Sequence, residues 1–281
     1  EPYFLDKNVS AGVDVFRKFV DLQTESSFDR ESLGFALRSG YRITELLSQS
    51  WKYTLRQDKI TDIPSDASLA IKEQVGDFIT SSIGQTILYD KRNNRFNPTK
   101  GYFLQMENTV AGFGGDSQFI RNGWKGGTYH EIAEKWILNV SGGAGYIVGL
   151  GKDVRIIDRF FLGGDSLRGF EVSGVGPRDL TTSDSIGGNW FYKSTLGVTF
   201  PLGLPNEFGL RGRMFTDAGS IGSNDSNVSS ITDTASLRMS VGTGILWDSP
   251  IGPVNIDFTK TLLKEDFDQT EFFKFGFGVN F

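Results

Sequence analysis

The chain has 281 residues, a formal net charge of -5 and no cysteine, and hydrophobic residues make up 38% of it. A mildly acidic chain is a poor match for nucleic acid as the main partner, and the lack of cysteine excludes disulfides and thiolate metal sites. No stretch reaches the roughly 18 apolar residues that a membrane-spanning helix needs. The strands of a β-barrel cross the bilayer in segments of about ten alternating residues, which hydropathy windows miss.

The predicted elements are strands in which apolar positions alternate with polar or glycine positions. In chain order, the apolar faces of the clear strands begin at Val9, Leu33, Trp51, Tyr102, Trp136, Tyr192, Phe208, Leu237, Val254 and Phe273. Two weaker segments, 78–88 and 119–129, are rich in Ser, Thr or Gly, and the spacing requires that they also be strands. This gives about twelve strands. Because this number is even, both termini lie at the same end of the strands.

The last strand shows the alternation most clearly. One face carries Phe273, Phe275, Phe277, Val279 and Phe281, and the other carries Lys274, Gly276, Gly278 and Asn280. A soluble β-sandwich or β-propeller would need large side chains on its inner faces, whereas these strands offer Gly, Ser, Lys and Arg there. The pattern predicts an all-β, transmembrane antiparallel barrel with lipid outside and a wet interior.

The predicted connections alternate between short turns and long polar loops. The short turns lie near 46–47, 93–94, 133–134, 203–205 and 249–252, and the long loops near 21–30, 60–76, 112–118, 151–187, 220–234 and 263–269. Outer-membrane barrels have short periplasmic turns and longer outside loops, so we expect both termini to be periplasmic. A short helix is predicted in 67–75, within one of the outside loops.

The longest loop contains the sequence Leu167-Arg168-Gly169-Phe170. It resembles the sixth extracellular loop of the BamA-type outer-membrane protein insertases, whose tip is Val-Arg-Gly followed by Phe or Tyr; Leu167 replaces the Val. The segments 215–219 and 236–253 are similar to the strands that follow this loop in the family. The terminal Phe281 is similar to the recognition signal that ends outer-membrane proteins.

The resemblance covers nearly the whole chain and implies a sixteen-stranded barrel preceded by periplasmic POTRA repeats. By this register, 1–281 is a single barrel domain without the first four strands and the POTRA repeats, although a natural twelve-stranded relative is the alternative. The implied function is assembly and insertion of β-barrel proteins into the bacterial outer membrane, without enzymatic activity, cofactor or metal. The implied partners are unfolded outer-membrane proteins, outer-membrane lipids and, through the periplasmic repeats, accessory assembly lipoproteins.

The loop tip also has a physical interpretation. Glycines allow tight backbone turns, and the planar fork of Arg168 suits a carboxylate. Asp217 lies on the inward face of its strand, so we expect Arg168 to pair with it and to pin 151–187 in the lumen as a plug. In the alternative, Arg168 is a solvated cation and Asp217 balances Arg211 and Arg213. The family has a further acidic residue on the adjacent strand, and Gly197 occupies that position here.

The terminal strand is the expected seam, formed by Gly276, Phe277, Gly278, Val279 and Phe281. Glycine packs poorly in strands, so a weak edge there would template an incoming strand by β-augmentation. A short, aromatic-poor seam would also thin the nearby bilayer. In the alternative interpretation, these glycines only keep the lumen open.

Two other functions remain open from the sequence. A secretion pore of the two-partner type shares the superfamily and the loop, and a passive outer-membrane channel shares the architecture. Among the remaining charged residues, Asp158 with Arg159 and Lys91 with Arg92 are interpreted as solvated or headgroup-facing, and Asp14 and Asp257 as single lumen carboxylates. His130 stands alone, which argues against a histidine metal site or a catalytic triad.

Overall fold

A computed structural model describes residues 8–250 and 252–277. Numbered along the chain, the strands are β1 (Val9–Asp21), β2 (Asp29–Arg42), β3 (Leu47–Thr61), β4 (Gly76–Asp90), β5 (Gly101–Gly115), β6 (Phe119–Ala133), β7 (Trp136–Gly149), β8 (Arg178–Asp179), β9 (Trp190–Pro201), β10 (Leu210–Gly222), β11 (Ile231–Thr232), β12 (Arg238–Ser249), β13 (Gly252–Leu263) and β14 (Phe273–Phe277). Two short helices, α1 (Gln23–Ser26) and α2 (Leu69–Lys72), lie in connections, as do the 3-10 turns Ile156–Asp158, Gly164–Ser166 and Asn206–Phe208. No helix in the described part of the chain has the length and apolar character needed to cross a membrane.

Twelve of these strands form one sheet in which every strand pairs with its neighbours in chain order. All the pairings are antiparallel, and β8 and β11 form a separate two-stranded sheet. The prediction of a twelve-stranded antiparallel transmembrane barrel is confirmed. Within the described residues β1 pairs only with β2 and β14 only with β13.

The two faces of the sheet differ as the alternation predicts. Side chains such as Val15, Leu104 and Met214 are exposed on the outer face, whereas Asp217 and Ser240 are buried on the inner face. A continuous exposed apolar surface is unfavourable in water and suits the hydrocarbon of a bilayer. The apolar side therefore faces lipid, and the polar side faces the interior.

The core lies between the inner wall and the connection from β7 to β9, residues 150–189, here called the long loop. It contributes most of one buried apolar cluster: Val154, Phe160, Leu162, Leu167, Phe170 and Val175 pack with Ala111, Phe119, Ile147 and Ile221 of the wall. A second cluster joins it to neighbouring loops and comprises Phe28, Ile60, Ala70, Ile71, Ile156 and Ile186. Burial of apolar surface thus fixes the loop at its middle as well as at its ends.

Two connection lengths were predicted wrongly. The expected long loop at 112–118 is only 116–118, because β5 continues to Gly115 through glycines with positive φ. The expected short turn near 93–94 spans 91–100, because its asparagine side chains bond the backbone: Asn93 Oδ1 accepts from Thr99 N, and Asn94 Oδ1 accepts from Phe96 N. The short helix expected in 67–75 is present as α2.

The described part of the predicted seam is Gly276 and Phe277, while Gly278, Val279 and Phe281 lie outside the described residues. Gly276 faces inward next to Asn255, and Phe273, Phe275 and Phe277 are exposed on the outer face. The expectation of an aromatic-poor seam is therefore wrong for this strand.

Candidate functional site

The tip of the long loop, residues 163–174, folds back on itself. Gly163 and Gly164 have φ values of 132° and 57°, in a region that favours glycine. The turn closes when Gly164 N donates to Phe170 O at 2.9 Å and Ser166 Oγ donates to Gly163 O at 2.7 Å. The fold-back directs Arg168 toward the inner wall.

Arg168 forms a two-pronged ion pair with Asp217 of β10. Its Nε donates to Asp217 Oδ2 at 2.7 Å and its Nη2 to Oδ1 at 2.8 Å, while the Arg168 backbone N reaches Oδ2 at 3.2 Å. Thr195 of β9 donates to Asp217 Oδ1 at 2.7 Å. Both charged side chains are nearly buried, with 14% and 3% of their surfaces exposed. Parallel N–H···O bonds of this kind are among the strongest that a protein makes.

The rest of the tip motif is also enclosed. Leu167 and Phe170 are fully buried. The guanidinium carbon of Arg168 lies 3.4 Å from the centre of the Phe215 ring. Ser240 Oγ of β12 donates to the carbonyl of Arg168 at 2.5 Å. The tip thus contacts β10 and β12 together, and β9 supports the pair through the bond from Thr195 to Asp217.

A second carboxylate for Arg168 is not found among the described residues. Gly197 lies opposite Phe215 in the sheet, and a Cβ there would come within 2.5 Å of Asn139 Oδ1. The space of a longer side chain is thus taken by Asn139. Asp217 alone carries the pairing within the described part of the chain.

β10 and β13 are joined by an ion pair that was not predicted from the sequence. Arg213 Nε donates to Asp257 Oδ1 at 2.7 Å, and Arg213 Nη2 bonds the other oxygen. Gly244 of β12 lies between them in register with both, and a Cβ there would come within 2.2 Å of Asp257 Oδ1. The sequence signal for this ion pair is a glycine on the strand between two inward-facing residues of opposite charge. Asp14 is likewise paired, with Arg38 at 2.7 Å.

The long loop has another charged contact with the wall, at Asp158. It is here called the first anchor, because it precedes the tip in the chain. Arg56 of β3 bonds both Asp158 of the loop and Asp58, and Arg30 of β2 reaches Asp58 at 2.8 Å. Asp158 and Arg159 are only 3% and 6% exposed, so their interpretation as solvated charges is wrong. The reason is the apolar packing of the loop, which takes both side chains out of water. Burial raises the pKa of the Asp158 carboxyl above its ordinary value, and Arg56 opposes this rise.

A polar cavity of about 680 Å³ lies on the turn side of the tip. Arg168 and Arg213 line it, and the 91–100 turn reaches across it, where Asn97 Oδ1 accepts from Arg211 Nη2 at 3.1 Å. In the same turn Arg92 pairs with Asp90 at 2.9 Å, so the expectation of a solvated Arg92 is also wrong. Within residues 8–250 and 252–277, no three His, Asp or Glu side chains are grouped to hold a metal ion.

All of residues 1–281 match the family model described as the Omp85 superfamily domain. The outer membrane protein assembly factor BamA of Neorickettsia risticii is 33% identical over 273 residues, which cover 96% of this chain and 37% of that protein. BamA of Nitratidesulfovibrio vulgaris is 29% identical over 273 residues, which cover 92% of this chain and 32% of that protein. The chain thus spans about a third of the length of these relatives.

A solved structure has the same fold. The crystal structure of BamA from Haemophilus ducreyi lacking POTRA domains 1–3 matches with a TM-score of 0.88 at 22% identity. The match covers 98% of this chain and 59% of that one. The arrangement of strands is therefore that of the barrel in this structure.

Proposed function

The chain belongs to the Omp85 superfamily, and we propose that it is the membrane-embedded barrel of an insertase that folds β-barrel proteins into the bacterial outer membrane. The observation that carries this proposal is the 33% identity to an outer membrane protein assembly factor over 96% of the chain. Because the chain spans about a third of such relatives, the activity is proposed for a larger protein that contains it.

The proposed orientation places both ends of the barrel chain in the periplasm. It is supported by the connections, because 62–75, 150–189 and 223–237 all lie at one end of the strands, and none at the other end is longer than the 91–100 turn. The cavity crossed by the 91–100 turn would then open toward the periplasm, and α2 would lie at the cell surface.

The long loop is proposed to plug the lumen from the outside. Three features support this: the Arg168–Asp217 pair, the first anchor at Asp158, and the apolar cluster that includes Leu162 and Phe170. A loop fixed to opposite parts of the wall would resist displacement by water or by a substrate. The Leu167-Arg168-Gly169-Phe170 tip would be its specific contact.

The proposed mechanism makes and breaks no covalent bond. The terminal strand would offer a weakly paired edge to an incoming strand, and backbone hydrogen bonds would template its addition. Gly276 and Phe277 lie on this edge, and Gly276 contributes no side chain to its packing. Phe273, Phe275 and Phe277 give the terminal strand an aromatic outer face. Thinning of the bilayer would therefore have to come from a short membrane-spanning length of this strand, and not from a lack of aromatic side chains.

The proposed partners follow from the same surfaces. Unfolded outer-membrane proteins would bind the strand edge, and outer-membrane lipids would cover the apolar outer face. Accessory assembly lipoproteins would bind the periplasmic repeats of the larger protein. A secretion pore of the same superfamily remains the alternative function.

The proposal is tested with the full-length protein reconstituted in lipid vesicles and supplied with an unfolded test barrel protein. We expect the folded, heat-modifiable form of the test protein to appear faster than in empty vesicles. Vesicles holding the Arg168→Ala variant should be slower, and those holding Arg38→Ala should match the unmodified protein, because the Arg38 side chain is 57% exposed. Steady planar-bilayer conductance without any gain in assembly would contradict the insertase and favour a pore.

A further inference from the structure

The connection from β13 to β14, residues 264–272, lies against the tip of the long loop and is here called the terminal connection. Three main-chain hydrogen bonds join them: Glu171 N to Gln269 O at 3.1 Å, Gln269 N to Gly174 O at 3.0 Å and Glu271 N to Gly169 O at 3.0 Å. Phe170 and Thr270 form an antiparallel bridge between these bonds. The tip therefore pairs like a short extra strand with the segment that leads into β14.

The contact is so close that glycine is needed on the tip side. A Cβ at Gly174 would lie 2.6 Å from the carbonyl oxygen of Gln269. A Cβ at Gly169 would lie 2.8 Å from the Cβ of Ser240. Any larger residue at these positions would push the tip away from β12 or from the terminal connection.

The terminal connection is also held by β12. Arg238 Nε and Nη2 donate to the two Asp268 oxygens at 2.9 Å and 3.2 Å, and both side chains are fully buried. Glu265 N donates to Asp268 Oδ2 at 2.8 Å, which closes the turn. The terminal connection thus has a fixed conformation, through which the position of the tip can affect β14.

The start of β14 is held by β13 and lies next to the tip. Thr259 N donates to Phe272 O at 2.8 Å, and Thr259 Oγ1 donates to Glu271 O at 2.7 Å. Lys274, which faces inward on β14, has its Nζ 3.6 Å from Asp165 of the tip and 3.5 Å from Glu271. The described part of β14 has only five residues, so a few bonds at its start matter to its pairing.

We propose that the tip of the long loop positions the terminal strand, and that release of the tip frees the start of β14. Gly169, Gly174 and Lys274 are positioning residues in this arrangement, because they act through the terminal connection. The inference rests on the proposed function in one respect: β14 is the edge that would receive a substrate strand. The tip contact would then set how readily that edge becomes available.

The test is hydrogen exchange of backbone amides in the full-length protein, in nanodiscs and without substrate. Gly174→Ala should raise exchange of the Gln269 and Glu271 amides and of the β14 amides by about tenfold, because the added methyl group displaces the connection. The matched control is Gly123→Ala, where the nearest atom to the new Cβ is 3.9 Å away. This control should leave the same amides unchanged.

A milder variant guards against general unfolding. Ser240→Ala removes one bond to the tip and none to the terminal connection. It should raise exchange of the same amides by a smaller factor, about two- to threefold, while β1 to β7 stay protected. Faster exchange at Gln269 and Glu271 with unchanged β14 amides would overturn the inference. Since no substrate is present, this outcome is independent of whether the protein assembles barrels.

Discussion

The long loop is attached to the barrel wall at two places that differ in how completely their carboxylate oxygens are hydrogen-bonded. At the first anchor, Asp158 shares Arg56 with Asp58, and its Oδ2 atom is buried without a hydrogen-bond partner among the described residues. At the tip, both oxygens of Asp217 accept hydrogen bonds, and the main chain bonds the terminal connection as well. A buried carboxylate oxygen without a partner loses hydration that nothing replaces.

The difference indicates separate roles for the two attachments. The first anchor lies beside an apolar cluster that can hold the loop without it, through Ile156 and Ile186. The tip offers geometry that no apolar packing would supply, since a bidentate pair requires one orientation of each partner. We therefore expect changes at the tip to have larger effects than matched changes at the first anchor.

The largest effect is expected from breaking the tip pair. Arg168→Ala and Asp217→Ala should each cost about 3–5 kcal/mol of stability, because each leaves an uncompensated buried charge. The double variant should cost no more than the worse single variant, because the two residues form one pair. Urea unfolding midpoints and heat-modifiable mobility measure these losses.

The control for these single and double variants is the Arg38–Asp14 pair, whose side chains are 57% and 39% exposed. Their alanine variants should each change stability by about 1 kcal/mol or less, because water screens exposed charges. Additive and independent losses at Arg168 and Asp217 would count against a functional pair.

The next effect is expected from Gly169→Ala. The φ of Gly169 is 93°, and an added Cβ would lie 2.8 Å from Ser240 Cβ, so strain of about 1–3 kcal/mol should destabilise the docked tip. Thermal unfolding of the variant should be compared with that of Gly84→Ala, whose new Cβ has 3.6 Å of clearance. Combining Gly169→Ala with Ser240→Gly should recover only part of the loss, because the backbone strain remains.

Matched amide substitutions compare the two attachments directly. Asp217→Asn should cost about 2 kcal/mol, since it removes the charge from a fully bonded carboxylate. Asp158→Asn should cost less than about 1 kcal/mol, because burial already disfavours the ionised carboxylate and Arg56 keeps Asp58. Equal losses in urea unfolding would mean that the two anchors hold the loop in the same way.

The smallest effect is a pH dependence at the outer part of the loop. Burial raises the pKa of Asp179, but hydrogen bonds from Ser68 and from the backbone of Thr181 outweigh it and leave the pKa below its ordinary value. A carboxyl with a lowered folded pKa contributes stability above its unfolded pKa of about 3.9 and loses it as the pH falls further. Limited proteolysis of the loop should therefore accelerate only below about pH 4, and Asp179→Asn should remove that dependence.

Much of the fold could be predicted because alternation is a local property. Successive side chains of a strand point to opposite faces, and this alternation determines which residues face lipid. The inward position of Asp217 therefore followed from the sequence of its own strand. The burial of Asp158 and Arg159 did not, because the neighbouring Ile156 packs in a cluster with Phe28 and Ile60, which are distant in sequence. Loop packing of this kind leaves no periodic signal.

Two features that were not predicted nevertheless have signals in the sequence. Gly244 allows Arg213 to reach Asp257 across an intervening strand, and opposite charges two strands apart with glycine between them can be searched for. Asn93 and Asn94 lengthen the 91–100 turn by bonding its backbone, a known property of asparagine. The pairing of the tip with the terminal connection uses backbone atoms, which side-chain patterns do not encode.

Exchange of the β14 amides in two variants of the full-length protein tests the central claim most directly. The account predicts that Asp217→Asn raises exchange at Lys274 and Gly276 by about tenfold, while Asp158→Asn leaves it within about twofold of the unmodified protein. Equal exchange in the two variants, or faster exchange with Asp158→Asn, would contradict the claim that the tip holds the terminal strand.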